Sequence, residues 1–229
     1  MKLKKVTSSS NPLENRWYDD ACGTALALEL VGERWSLLIV RELMFGGRRF
    51  SELKASLSGI SANILTQRLE SLEATGVLSR RKLAPPASVQ IYELTPWGYE
   101  SETAIKELGR WAAKSPLHDP TLPLSAASIM LSFRTMLSPE RAAGLDADIG
   151  FRIGPESFVG HVSGDEIAIR RAEPSGVQVV FETDPMTFVS IIYGGRPIAD
   201  AEATGQLQLS GDRALAERFV TLFVLPPKM

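Results

Sequence analysis

Ser61, Asn63, Thr66 and Gln67 place four short hydrogen-bonding side chains within seven residues, with Ala62 among them. Asn and Gln can pair bidentately with an adenine edge, and hydroxyls can bond many acceptors, so this set suits the reading of bases in a groove. Around it stand cations that could neutralise phosphates: Arg48, Arg49, Lys54, Arg68 and the run Arg80-Arg81-Lys82, with Arg34 as one more. Base-reading groups need such contacts at their flanks, because phosphate contacts fix the register of the helix that carries them.

The elements required to hold these groups can be read nearby. Residues 50–57 form a short helical pattern with Ser51 as cap and Leu53 and Leu57 inward. After a turn at Ser58-Gly59, residues 61–75 predict a longer helix with Leu65, Leu69 and Leu72 on its inner stripe and the base-reading set on its outer face. Gly76 closes it, and two β-prone runs, 77–83 and 89–94, flank the tip Ala84-Pro85-Pro86-Ala87-Ser88, where proline cannot continue a ladder. Helix, turn, helix and a two-stranded wing is a geometry that presents one helix to a DNA groove. The same pattern fits a helical domain with a merely solvated polar face, or a protein-binding module.

Upstream, residues 17–31 predict a helix with Ala21, Ala25, Leu28 and Val31 on one face, broken by Gly32. A second helix from Glu33 carries Trp35, Leu38, Ile39, Glu42 and Leu43 and ends at Gly46-Gly47. Downstream, Thr95-Pro96 opens a helix whose stripe includes Trp97, Ile105, Leu108 and Trp111. Two tryptophans exceed what so small a unit buries alone, and this stripe is the expected dimer surface.

The formal net charge of −2 argues against nucleic acid until the chain is divided at Pro116. Residues 1–116 hold 16 Lys+Arg against 13 Asp+Glu, and residues 117–229 hold 9 against 14. Three prolines at 116, 120 and 123 mark residues 116–123 as a linker between expected domains at 1–115 and 124–229. Beyond it the patterns give a helix over 125–137 and strands over 148–153, 157–162, 166–171 and 177–182. A helix over 184–192, a strand over 204–209 and a helix over 213–223 follow. Strands framed by helices make the expected fold class α+β. The polar run from Thr7 to Asn11 occupies the place of a signal peptide's apolar core, and no stretch is long and apolar enough for a membrane span. With Cys22 as the single cysteine, a reducing cytoplasm is expected.

The residues offer no catalytic constellation and no metal or cofactor site. His118 and His161 stand apart from ligating partners, and Gly194-Gly195 is too isolated for a phosphate loop. An enzyme acting on a lipid-like substrate is therefore disfavoured. The acidic half instead offers apolar faces.

Two resemblances add to these readings. Cys22, the run Gly32-Glu33-Arg34-Trp35-Ser36-Leu37-Leu38-Ile39-Val40-Arg41-Glu42-Leu43, then Arg49-Phe50-Ser51-Glu52-Leu53, resemble the HxlR family of winged-helix regulators. So do Gly59-Ile60-Ser61-Ala62-Asn63-Ile64-Leu65-Thr66-Gln67-Arg68-Leu69 and Tyr92-Glu93-Leu94-Thr95-Pro96-Trp97-Gly98. The resemblance implies a homodimer related to the MarR group, most often a repressor, on a pseudo-palindromic operator in double-stranded DNA. It also implies a candidate redox sensor at Cys22, where Gly23 follows in place of the family's frequent proline. Asp19 and Asp20 would raise the pKa of that thiol, which favours a buried structural cysteine.

In the acidic half, Phe181-Glu182-Thr183-Asp184-Pro185-Met186-Thr187-Phe188, Gly194 and Ala203-Thr204-Gly205-Gln206-Leu207-Gln208-Leu209-Ser210-Gly211-Asp212 resemble the sterol carrier protein 2 family. That resemblance implies a curved sheet under helices and an apolar pocket for a lipid-like effector. The residues expected to line it are Phe151, Phe158, Ile169, Phe181, Phe188, Ile192, Phe219 and Phe223. It leaves open a lipid- or acyl-binding carrier whose N-terminal half serves only dimerisation.

Overall fold

Caps and glycines set most element boundaries. The computed structural model describes residues 18–84 and 88–229. The expectations placed on Trp17, on the polar N-terminal run and on the tip at Pro85-Pro86-Ala87 lie outside those residues. The first half contains α1 (Gly23–Val31), α2 (Ser36–Leu43), α3 (Phe50–Ser56), α4 (Ala62–Ala74), β1 (Leu78–Lys82), β2 (Gln90–Leu94), α5 (Pro96–Glu100) and α6 (Glu102–Ala113). The second contains α7 (Ala126–Met136), α8 (Pro139–Ala142), β3 (Asp146–Ile153), β4 (Glu156–Ser163), β5 (Glu166–Arg171) and β6 (Val179–Thr183). It closes with α9 (Pro185–Ile192), α10 (Ile198–Ala203), β7 (Leu207–Gly211) and α11 (Arg213–Phe219).

Ser61 caps α4 by accepting from the Ile64 N–H at 3.2 Å. Its other end closes with Val77 N–H on the Leu72 carbonyl and Gly76 N–H on Glu73, the paired bonds of a left-handed glycine cap at φ +77°. β1 and β2 then pair antiparallel, from Leu78 opposite Leu94 to Lys82 opposite Gln90. Two expectations shift here. α2 begins at Ser36, because Trp35 adopts φ 82° and cannot continue a right-handed helix. The helix expected over Trp97–Trp111 breaks at Ser101 into α5 and α6. Gly98 packs so closely under the Val77 carbonyl that an added Cβ would lie 2.0 Å from the oxygen, and the Ser101 hydroxyl bonds the Gly98 carbonyl at 2.6 Å.

The second half is built on a sheet of order β5-β4-β3-β6-β7, in which β3 and β6 run parallel and the other neighbours antiparallel. Alternation puts Ile149, Phe151, Phe158, Val162 and Phe181 on one buried face. Helices α7, α9 and α11 cover that face through Phe133, Phe188 and Phe219. The opposite face carries paired charges, including His161 Nδ1 at 2.9 Å from Asp148 Oδ1, a partner its isolation in sequence does not suggest. Helices α8 and α10 were not expected from the sequence: at four and six residues they are too short to show a helical period.

The halves do not stand apart on a linker. One continuous apolar core runs through both. Phe45, after α2, meets Phe158 of β4 edge to face at 5.7 Å, and α7 packs on both α2 and α6. Beside this contact lies a chain of alternating charges. Glu42 of α2 is wholly buried and takes Arg41 at 2.9 Å, Arg48 at 3.0 Å and the Ser125 hydroxyl at 2.6 Å. Arg48 continues to Glu156 of β4 at 3.1 Å, and Glu156 binds Arg171 of β5. Arg171 lies over the Phe158 ring at 4.7 Å.

Removing the middle cation should be costly. Arg48→Ala leaves two largely buried carboxylates short of a partner, and a loss of about 3–5 kcal/mol in urea unfolding is expected. The same loss from Arg49→Ala, whose side chain is exposed, would contradict this assignment.

Candidate nucleic-acid interface

α4 is fixed from behind by Leu65, Leu69 and Leu72, each 1% exposed or less, which set its angle against α2. Those anchors turn Ser61, Ala62, Asn63, Thr66 and Gln67 outward, all exposed along the N-terminal half of the helix. Ser61 already uses an oxygen lone pair as the helix cap. Asn63, Thr66 and Gln67 make no side-chain hydrogen bonds among the described residues, so their donors and acceptors face solvent together. Groups one turn apart on a helix share a face, the arrangement that lets one helix touch successive bases.

The cations divide into three kinds. Arg49, Lys54 and Lys82 have no close ion pair among the described residues; Arg49 Nε stays 4.0 Å from Glu52. Arg80 and Arg81 extend along β1 with half-exposed side chains, held loosely by Glu73 at 3.0 Å and Glu93 at 2.5 Å. Such surface pairs are worth little, so a phosphate can replace the carboxylate. Arg48 is turned inward and only 5% exposed, which corrects its expected place on phosphate, and Arg68 is engaged within the chain. Arg48 pairs through its backbone with Tyr92 at 2.8 Å in both directions, as an added edge of the wing. Along extended backbone successive side chains alternate, so Arg49 faces out and Arg48 faces in. Arg68 points back from α4 to Glu33 at 2.8 Å and ties the helix to the α1–α2 connection.

The buried cluster behind this surface was missed in the sequence, though one signal was present. Glu42 falls on the inward stripe of α2, and a carboxylate there requires a cation inside. The far end of the cluster, Glu156 and Arg171, lies more than a hundred residues away, and no local pattern links them.

Two further expectations are overturned. Cys22 is exposed, not buried, as the N-cap residue of α1. Its pKa lies below the usual thiol value because the Thr24 backbone N–H, then the Thr24 hydroxyl and Ala25 N–H, favour the thiolate. The neighbouring Asp20 carboxylate is engaged by the Cys22 backbone N–H at 2.9 Å. The expected apolar pocket is also filled. Phe151, Phe181, Phe188 and Phe219 have no exposed surface and pack ring to ring at 5.2–6.3 Å, and Phe223 stacks on Phe133 at 4.3 Å. Phe158 turns instead to Phe45, while Ile169 and Ile192 are buried around this packing.

The model for the HxlR-like helix-turn-helix matches residues 30–118. YvaP of Bacillus subtilis (strain 168), an uncharacterized HTH-type transcriptional regulator, is 37% identical over 89 residues, which are 38% of this chain and 82% of YvaP. The chain belongs to the HxlR-like helix-turn-helix family. YtfH of Escherichia coli (strain K12), also an uncharacterized HTH-type transcriptional regulator, is 32% identical over 111 residues, 48% of this chain and 86% of YtfH. The reduced form of the transcriptional regulator YodB from B. subtilis superposes with a TM-score of 0.40 at 31% identity, covering 44% of this chain and 100% of that one. For this chain, family membership bears on the segment that holds α2 to α6.

The geometry at Cys22 has a direct chemical consequence. Iodoacetamide reacts with the thiolate, so its rate rises as pH passes through the thiol pKa. Because that pKa is lowered in the folded protein, half-maximal alkylation is expected at a lower pH than in a denatured control. Thr24→Val should move the profile back upward; a profile at or above the control would remove the N-cap explanation.

Proposed function

We propose that this protein is a sequence-specific DNA-binding transcriptional regulator, acting as a homodimeric repressor on a pseudo-palindromic operator. One observation carries the reading. Asn63, Thr66 and Gln67 stand exposed on the first turns of α4, with Arg49 and Lys54 before the helix in sequence and the Arg80–Lys82 run of β1 after it. The names of the relatives, HTH-type transcriptional regulators, agree with it. Among the described residues no helix is long and apolar enough to cross a membrane.

Dimerisation is supported by apolar surface that one chain leaves uncovered. α1, of sequence GTALALELV, buries only Ala25, while Leu28 is 52% exposed. On α5 and α6, Trp97, Leu108 and Trp111 are 50–70% exposed, and Ile105 is half-buried against the core. Apolar helix faces left uncovered in their own chain mark an interface. Two reading helices then meet successive major grooves about 34 Å apart. Bound across a promoter, such a dimer excludes polymerase by occupancy, which is the basis for repression.

For the second half we infer an effector domain like sterol carrier protein 2. Its support is the mixed sheet with helices over one face. The packed phenylalanines weigh against a preformed tunnel beneath those helices.

Two experiments test the regulator. Asn63→Ala or Gln67→Ala should weaken binding to the protein's own promoter DNA by roughly 5- to 150-fold, with little change on unrelated DNA. Equal loss on both would refute base readout. Lys82→Ala should weaken binding to all sequences alike and flatten the dependence on salt by about one unit of slope. In sedimentation equilibrium, Trp111→Glu combined with Leu28→Glu should convert a dimer to a monomer. A dimer of unchanged stability would place the interface elsewhere.

A further inference from the structure

The apolar space missing under the sheet lies on the other side of α7. There α2, α6, α7, α9 and the C-terminal segment border a half-open hollow of about 400 Å³. It exists because α6 turns Gly109, Ala112 and Ala113 toward it, facing Leu131 and Ser132 of α7. Its walls are almost entirely aliphatic. At its edge, Arg41 is held by Glu42 at 2.9 Å, and His118 Nδ1 lies 3.2 Å from Lys228 Nζ.

Of the hydroxyls in the walls, Thr135 donates to the Leu131 carbonyl at 2.7 Å and Ser128 Oγ pairs with Ser125 Oγ at 2.7 Å, which leaves one further polar pair. Tyr193 Oη and Ser132 Oγ lie 2.9 Å apart, and Ser132 donates its own proton to the Ile129 carbonyl at 2.8 Å. Tyr193 must then donate to Ser132, which leaves lone pairs on the tyrosine oxygen as acceptors. Burial pushes the Tyr193 pKa up to about 12, so this acceptor is neutral. Apolar walls with one or two convergent polar groups are the make-up of a small-molecule site, and the volume falls within the range of such sites.

We propose that this hollow binds a neutral, largely apolar ring compound carrying one N–H or O–H donor, such as a phenol or aryl amine, with the donor on Tyr193. Occupancy would press on α6, the helix that carries Leu108 and Trp111. That link to DNA rests on the regulator reading above, whereas binding itself does not.

The test uses the full chain without DNA and the fluorescent aryl amine N-phenyl-1-naphthylamine. Saturable binding of one probe per chain is expected. A Cβ at Gly109 meets nothing within 4 Å, so Gly109→Leu fits the helix while its side chain enters the hollow. It should weaken the probe by roughly tenfold or more. Tyr193→Phe should weaken it about fivefold by removing the acceptor. Absence of saturable binding, or unchanged affinity in both variants, would overturn the proposal and send the probe elsewhere. So would an affinity that falls as protein concentration rises, which would mean that a side chain from a second copy occupies the hollow. Failure of promoter binding alongside normal probe binding would sink the regulator reading and leave this site standing.

Discussion

A carboxylate with no exposed surface governs how this molecule is assembled. Glu42 lies on the inward face of α2, and a buried charge is tolerated only when cations and hydrogen bonds replace the water it has lost. No single element supplies them. Arg41 comes from the same helix, Arg48 from the edge of the wing, and the Ser125 hydroxyl from the start of α7. Arg48 in turn needs Glu156, and Glu156 needs Arg171, so satisfying one acid draws in two strands of the distant sheet. Each contact also fixes a backbone: Arg48 is paired with Tyr92, and Ser125 caps α7 through the Ser128 N–H at 3.1 Å. The charge chain thereby sets the wing, the second helix and the sheet in one arrangement, and the aromatic contact of Phe45 with Phe158 packs beside it.

This arrangement also accounts for the modest charge around the proposed DNA-binding surface. Two of the seven cations expected on phosphates are used inside, Arg48 on the acids and Arg68 on Glu33. What remains outward is a small set on the flanks of α4. On the proposed reading such a set would hold position, while discrimination would fall to Asn63, Thr66 and Gln67.

The legible parts of the fold are those governed by local chemistry. Ser61, Thr95, Ser125, Asp184 and Asp212 each cap a helix by accepting backbone N–H groups, and each stands where the sequence places a helix start. Strands β3 to β6 follow alternation to within a few residues. The outward face of α4 was legible for the same reason, since Leu65, Leu69 and Leu72 leave only one outward side. What could not be read depends on distant partners. The inward turn of Arg48 needs Glu156, and the break at Ser101 needs the Val77 carbonyl beside Gly98. The phenylalanines of the sheet satisfied an apolar-face pattern, but pattern alone does not distinguish a lining from a filling. Phe133 of α7 decides that by occupying their centre, in contact with Phe151, Phe188, Phe219 and Phe223.

The position of α7 gives the second half a physical route to the first. On one side α7 holds Phe133 in the aromatic packing of the sheet. On the other, Arg134 binds Glu102 of α6 at 2.8 Å and stacks over Phe45 at 4.8 Å. Arg110 of α6 donates to the Thr135 carbonyl at 2.5 Å. A shift of α7 therefore moves α6 through charge-assisted bonds at two points along its length. On the proposed dimeric reading, α6 carries the outward Leu108 and Trp111, so its tilt sets the separation of the two reading helices. Groove spacing on DNA is fixed by the duplex, and a dimer whose separation departs from it loses half of its contacts. An effector acting on the second half thus needs no contact with α4. It needs only to favour one placement of α7 over another, with a difference in affinity large enough to bias the pair.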